Sequence, residues 1–262
     1  MSTQPPTGPP SGPPTGPLYG EPAPGPPPHR RPWWRTPPAF IGAAAAVVAL
    51  AVGLIFAFRG GSGPTNVPAK VPTPNSSAEA RDVAARVTLT PGDWGPDFAQ
   101  DSPYEDDALT EDVADQNCNF VAQPMVDALA GLRRSVKKSD STVFAFSYLF
   151  AYKRADFAHH DADHFRADLQ RCQTQYQDKA KFEDVHEVKI PELTGFDEVV
   201  AEEGRLAVDD QGNKANTYYS YIIGRKGNFL MGSDVTRSET GQNRDDAVKA
   251  LKLMLTRLES TK

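Results

Sequence analysis

The sequence predicts an α+β fold: an antiparallel sheet packed with helices, preceded by a single transmembrane helix and a disordered Pro-rich tail. Three observations carry this. Proline is crowded into residues 1–38, which hold 15 of the chain's 24. An uncharged apolar run, "AFIGAAAAVVALAVGLIFAF", fills residues 39–58. Beyond it, runs of alternating polarity separated by turn sequences end in an amphipathic segment from about Asn243.

Residues 1–38 contain almost no aliphatic side chains and repeat Pro-Pro-Thr/Ser-Gly in "PPTGPPSGPPTGP". Such a segment cannot bury enough apolar surface to offset its chain entropy, so it is expected to be disordered. Collagen needs Gly at every third position and is excluded. A semi-extended spacer remains, with docking to a proline-binding partner as the alternative.

A helix over 39–58 spans roughly 30 Å, the hydrocarbon thickness of a bilayer. Arg30, Arg31 and Arg35 precede it together with Trp33 and Trp34, and only Arg59 follows closely. Positive charge and tryptophan on one flank mark a membrane-interface anchor on the cytoplasmic side. The tail is then inside, and the C-terminal part is extracytoplasmic. A cleaved signal peptide, the competing reading, would have an apolar core of about 7–15 residues and a small-x-small site; here the exit is "FAFRGG". Gly42/Ala46 and Ala49/Gly53 stand at helical spacing and would allow weak homodimer pairing of two such helices. The tail carries three arginines and one glutamate, the remainder 25 basic and 33 acidic residues. An acidic outer part without a basic stripe argues against a nucleic-acid partner.

Residues 59–81 read as a Gly/Pro/Ser-rich extracytoplasmic linker, and 82–262 have the size of one domain. Both cysteines of the chain, Cys118 and Cys172, lie there. In an oxidising compartment such a pair is expected to form a disulfide, with two buried free thiols as the alternative.

Within the domain, "STVFAFSYLFAY" alternates. Phe144, Phe146, Tyr148, Phe150 and Tyr152 fall on one face, and Val143, Ala145, Leu149 and Ala151 on the other. This predicts a long central strand covered on both sides. "FEDVHEVKI" reads as a shorter strand. "EVVAEEGRLAV", "KANTYYSYIIG" and "NFLMGSDVT" read as an antiparallel meander joined by the turns "DDQGN" and "RKGN". A helix is expected over about Gln123 to Arg134, with the cluster Arg133, Arg134, Lys137 and Lys138 at its C-terminal end. The last helix has Asn243 as N-cap, Asp245 and Asp246 in its first turn, and an apolar face of Ala247, Val248, Leu251, Met254, Leu255 and Leu258. The acidic stretch Asp93–Asp115 holds nine carboxylates and no Lys or Arg. It matches no EF-hand and reads as a solvated loop, with a calcium site as the alternative.

The stretch "RADFAHHDADHFRADLQRC" invites a metal site. Ala158, Ala162, Phe165, Leu169, Cys172 and Tyr176 form one core-facing helical stripe. His160 and His164 lie four apart away from that stripe, with Asp156 and Asp168 extending their line. An i, i+4 histidine pair suits a metal ion, but the Glu of a zincin HExxH is absent and no third ligand is indicated. A solvated acid–imidazole face is the expectation, without a metal or cofactor. No GxSxG and no phosphate-binding Gly-rich loop occur, so no catalytic residue is assigned.

The order of features resembles the extracytoplasmic sensor domain of actinobacterial receptor kinases of the PknH type, and related exported sensor-like proteins and lipoproteins. The residues that carry it, over about 85–260, begin with "LTPGDWGPDF" and Cys118 before a short helix. A strand then runs into an Ala/Phe-rich helix ending in "LQRC". "YIIGRKGNFLMGSDV" and a closing amphipathic helix follow. The resemblance implies a compact α+β domain with a cleft beside an antiparallel sheet, taken to bind an unidentified ligand. PknH-type domains carry two disulfides, and often a Trp just before the second Cys of this pair. Here one pair is available, Leu169, Gln170 and Arg171 precede Cys172, and a Pro-rich tail stands in place of a kinase domain. The expected function is therefore a single-pass membrane protein with a non-catalytic sensor-like or ligand-binding ectodomain. Its partner is an unknown ligand or envelope protein. The alternatives are an envelope scaffold that holds protein partners through tail and ectodomain, and a metal-dependent enzyme using His160 and His164.

Overall fold

The computed structural model describes residues 71–261, apart from 108, 141 and 239–242. The proline-rich tail, the 39–58 span and the flank Arg30, Arg31, Trp33, Trp34 and Arg35 lie outside the described residues. Among the described residues no helix is long and apolar enough to cross a membrane.

The described residues begin with α1 (Ser77–Val87) and the single turn α2 (Pro91–Trp94). It continues through β1 (Phe98–Asp106), β2 (Thr110–Ala114), β3 (Phe120–Pro124), β4 (Ala128–Lys138) and β5 (Val143–Tyr152). Helix α3 (Ala155–Arg171) leads into β6 (Gln175–Gln177), β7 (Ala180–Glu187), β8 (Glu198–Val208), β9 (Lys214–Lys226) and β10 (Phe229–Arg237), and α4 (Asn243–Ser260) closes the fold. Eight strands form one sheet in the order β1-β4-β5-β10-β9-β8-β7-β6, all antiparallel, while β2 and β3 make a separate hairpin.

Two helices cover one face of the sheet. Helix α1 starts inside the stretch read as linker, because Ser76 caps it by accepting the Glu79 N–H at 3.2 Å while the Glu79 carboxylate accepts the Asn75 N–H at 2.8 Å. It buries Ala80, Val83, Ala84 and Val87. Helix α4 buries Leu251, Met254 and Leu258 against Leu149, Ile222 and Met231 in the same core. The opposite face is covered in part by α3, whose Ala158, Ala162 and Leu169 meet Phe146, Tyr148, Tyr152, Phe182 and Ile223. The central strand therefore has the two faces that its alternation predicts.

Four local expectations are overturned. Residues 128–138 form strand β4 where a helix over Gln123–Arg134 was expected. Met125, Leu129, Leu132 and Val136 sit at spacings that suit a helix, but pairing with β5 on one side and β1 on the other decides the outcome. The basic cluster is consequently no helix end, and the acidic stretch before it is no loop. Strand β1 lies beside β4, where Arg133 pairs with Asp106 at 3.2 Å, Arg134 with Glu105 at 2.9 Å and Lys137 with Asp101 at 3.0 Å. Each segment looks irregular alone because the charge that neutralises it is on the other. Cys118, expected before a short helix, precedes β3.

Smaller corrections concern single residues. Asn243 is the first helical residue rather than a cap, buried with its amide donating to the Tyr218 carbonyl at 2.9 Å. Tyr176 leaves the α3 stripe, since the helix ends at Arg171 and Tyr176 lies exposed in β6.

Candidate functional site

The α3 face of the sheet is a cluster of aromatic rings made possible by cross-strand glycines. Tyr148 lies opposite Gly232, Phe150 opposite Gly131, and Tyr219 opposite Gly204. A Cβ on Gly131 would stand 2.6 Å from the Phe150 ring, and one on Gly204 2.7 Å from the Tyr219 hydroxyl. The missing side chains let the rings lie across the strands instead of standing off them. The centroids of Phe146 and Tyr221 are 5.9 Å apart, those of Tyr148 and Tyr221 6.3 Å, and Phe165 of α3 meets Tyr221 edge-on at 5.2 Å. The Tyr148 and Tyr221 hydroxyls are 2.7 Å apart, and the Arg133 guanidinium lies 5.7 Å from the centre of the Phe146 ring. Phe146 and Tyr148 are buried, while Phe150, Phe165 and Tyr221 are half-buried at the rim. Burial holds the Tyr148 and Tyr152 phenols well above the ordinary tyrosine range, so both stay neutral donors at physiological pH.

The β2–β3 hairpin is fastened to α3 beside this cluster. Its turn is built by Asp115, whose carboxylate accepts the N–H groups of Asn117 and Asn119, both at 2.8 Å. This brings Cys118 to Cys172, with an S–S distance of 2.06 Å and Cα atoms 5.6 Å apart. The expected disulfide is thus formed. Asp168, placed on the solvated side by sequence reasoning, is instead buried at this joint. It accepts the Ala114 N–H at 2.9 Å and an Arg171 guanidinium N–H at 2.8 Å, and Arg171 also donates to the Ala114 carbonyl at 2.9 Å. No pattern within α3 announces this role, because the amide that Asp168 satisfies lies 54 residues away.

Further along the hairpin, Glu111 stands among acids. Burial first, then the charges of Asp161, Asp112 and Asp168, push its carboxyl up to about 7. Asp161 accepts the Tyr152 hydroxyl at 2.5 Å.

The histidines divide. His160 and His164 stack at 6.1 Å and lie outside the one set of described side chains at metal-ligand spacing, which is His159, Asp163 and Glu198. His159 reaches Glu198 at 2.9 Å and Asp163 at 3.2 Å. The His159–Asp163 spacing was visible in sequence; Glu198, on β8, was not. Arg166 donates to Asp163 at 3.0 Å and to Glu198 at 2.7 Å, and Arg225 lies 3.3 Å from Glu198. Burial raises the Glu198 pKa, but hydrogen bonds from His159, Arg166 and Arg225 outweigh it and hold the carboxyl below its usual range. Two guanidiniums already supply the positive charge that a cation would bring, so the cluster is an ion-pair network. Added zinc is expected to leave the melting temperature of the purified chain unchanged, and a zinc-dependent rise abolished in His159→Ala would refute this.

Elsewhere the described residues form a depression of about 630 Å³ beside Arg86, Arg134 and Arg257 and one of about 500 Å³ beside Glu183, His186 and Arg205. Neither is lined by the Phe144–Tyr152 strand.

No family model and no curated protein matches the sequence. Among solved structures, the extracellular domain of PknH from Mycobacterium tuberculosis is similar with a TM-score of 0.47 at 8% identity, over 70% of this chain and 97% of that chain.

Proposed function

We propose that this chain is a single-pass membrane protein whose outer domain is a non-catalytic, sensor-like binding module, with the aromatic α3 face as its recognition surface. The observation that carries it is the glycine-paired ring cluster. This sheet face spends three glycines to lay down rings, and the two that end in hydroxyls, Tyr148 and Tyr219, meet the Tyr221 hydroxyl and the Glu202 carboxylate. Apolar bodies with fixed hydroxyls at a half-buried rim suit a ligand with a flat or apolar part and one polar group. The disulfide fits an oxidising, extracytoplasmic setting, and the 39–58 run supplies the tether.

Topology is tested by fusing a reporter active only outside the membrane after Lys262. Signal is expected, and a silent fusion with an active cytoplasmic reporter reverses the orientation. Recognition is tested by thermal-shift screening of the full chain against envelope-derived small molecules. Stabilising compounds should lose their effect in Phe165→Ala and Tyr221→Leu; compounds that stabilise all three proteins equally place the binding surface elsewhere.

A second reading, an envelope scaffold, is favoured by one observation. Val121 is 43% exposed, Val126 66% and Tyr176 38%, and the strands of Val121 and Tyr176 are neighbours through the Asn119–Tyr176 bridge. Loss of a co-purifying envelope protein on Val121→Asp, with small-molecule screening blank, would select it.

A further inference from the structure

We propose that the depression between the C-terminal ends of α1 and α4 is a binding site for an anionic, polyhydroxylated group: a sugar acid or a sugar phosphate. It lies on the α1/α4 side of the sheet, opposite the aromatic cluster, and does not depend on the binding role proposed above.

Three elements converge on the site. Arg86 stands in the last turn of α1, Arg257 in the last turn of α4 and Arg134 on β4, and all three line the same depression of about 630 Å³. A cation in a last helical turn suits the helix dipole, which accounts for Arg86 and Arg257 singly. It does not account for their meeting, or for a third arginine arriving from the sheet. The volume is that of a small-molecule site.

The walls are held in place. The Leu89 N–H donates to the Ser147 hydroxyl of β5 at 3.0 Å and the Thr90 N–H to the Asp93 carboxylate at 2.7 Å, so the segment after α1 is pinned to the sheet and to α2. Arg134 donates to the Ala85 and Thr88 carbonyls at 3.1 and 2.8 Å and to Glu105 at 2.9 Å, with its guanidinium 5.9 Å from the centre of the Tyr104 ring. Arg257 donates to Asp93 at 2.5 Å. The carbonyls that end the two helices would repel an anion. Arg134 takes two of them from α1, and Thr261 takes those of Leu258 and Arg257 from α4, at 3.2 and 2.8 Å.

The donors and acceptors left over define the ligand. Arg134 commits Nε and Nη1 to the protein and Arg257 commits Nη2, which leaves Nη2 of the first and Nη1 of the second open. Arg86 is exposed, and among the described residues its guanidinium forms no ion pair. Asp93 offsets Arg257, while Glu105 is shared between Arg134 and Arg81, the latter at 3.9 Å. Positive charge is therefore in surplus, carried by a planar fork that suits carboxylate and phosphate alike. The hydroxyls of Thr90, Ser260 and Thr261 donate to Asp93, to the Thr256 carbonyl and to the Arg257 carbonyl, at 2.8, 2.7 and 2.8 Å. Each hydroxyl has one donor and two acceptor sites, so these three have lone pairs left to receive ligand O–H groups. Of the described lining residues only Ala85 is apolar. Guanidiniums for an anion and lone pairs for hydroxyls together describe an acidic sugar.

The test is calorimetric titration of the full chain in detergent with glucuronic acid, glucose 6-phosphate, glucose and inorganic phosphate. At least one of the two acidic sugars is expected to bind with a dissociation constant of about 1 mM or below, the range of a monosaccharide-sized ligand at ordinary efficiency per atom. The tighter of the two identifies the anion as carboxylate or phosphate. Glucose and inorganic phosphate should each bind at least about tenfold more weakly, because each lacks one half of the recognition. Arg86→Gln should weaken the acidic sugar by about tenfold. Arg86 has no ion pair to lose, so the variant keeps the fold. Lys249→Gln, the same charge change at an exposed position of α4 outside the depression, should leave binding as it is. Failure of both acidic sugars to bind overturns the proposal. So does glucose or inorganic phosphate binding as tightly as the acidic sugar, or an Arg86→Gln loss no larger than that of Lys249→Gln.

Discussion

Replacing Cys118 or Cys172 with Ser is expected to lower the unfolding free energy by about 4 kcal/mol, the chain-entropy value for opening a loop of this length. The two cysteines are 54 residues apart, and between them lie β3, β4, β5 and α3. The bridge therefore restrains two of the sheet's eight strands, together with α3, in the unfolded chain. In the native state it fixes a hairpin that is not a member of the main sheet. A loss of this size is a large share of the ~5–15 kcal/mol available to a domain. Both single variants and the double variant should lose the same amount, because each removes the same bond. Chemical denaturation of all three measures it. Free-thiol labelling of the unfolded, unreduced native chain should find no reactive thiol; two per chain would end the account.

Gly232→Ala is expected to cost about 3 kcal/mol, at the upper end for overpacking a core. Gly232 is in the middle of β10, flanked by β5 and β9, so the strand has no freedom to bow away. Its Cβ would be driven into the Tyr148 ring, which is tied through its hydroxyl to Tyr221 and backed by Phe150 at 4.8 Å. The ring cannot swing aside without giving up both. A double-mutant cycle isolates the cause: Gly232→Ala in a Tyr148→Ala background should cost less than 1 kcal/mol. A cost that persists without the ring would place the strain in the backbone.

Much of this fold is legible because the strands β5, β8, β9 and β10 carry their own turn signals and alternation. Helices α3 and α4 show their apolar stripes just as openly. What stays hidden has partners far along the chain. Strand β4 reads as helix because Leu132 and Val136 fit either period, and only the acids of β1 explain why two arginines stand in its middle. The aromatic face is visible from Phe144 to Tyr152, but the glycines that seat it are on β4, β8 and β10, and a lone glycine in a strand has no direction. The acidic environment of Glu111 is built by two helical aspartates that resemble any solvated ones until Tyr152 and Ala114 are placed beside them.

The two ends of the sheet bear on how such domains behave when packed together. Strand β1 loses register with β4 between Gln100 and Glu105, contains Pro103, which offers no N–H, and carries Asp101, Glu105 and Asp106. Strand β6, at the other end, is three residues long and has the hairpin across its flank through the Asn119–Tyr176 bridge. Neither margin offers a long, straight row of unpaired amides to a passing chain, so strand-to-strand growth has no template at either end. For a chain tethered to a membrane, as proposed above, neighbours share a thin layer at high local concentration. There, blunted margins keep a wide sheet from pairing edge to edge with its neighbours.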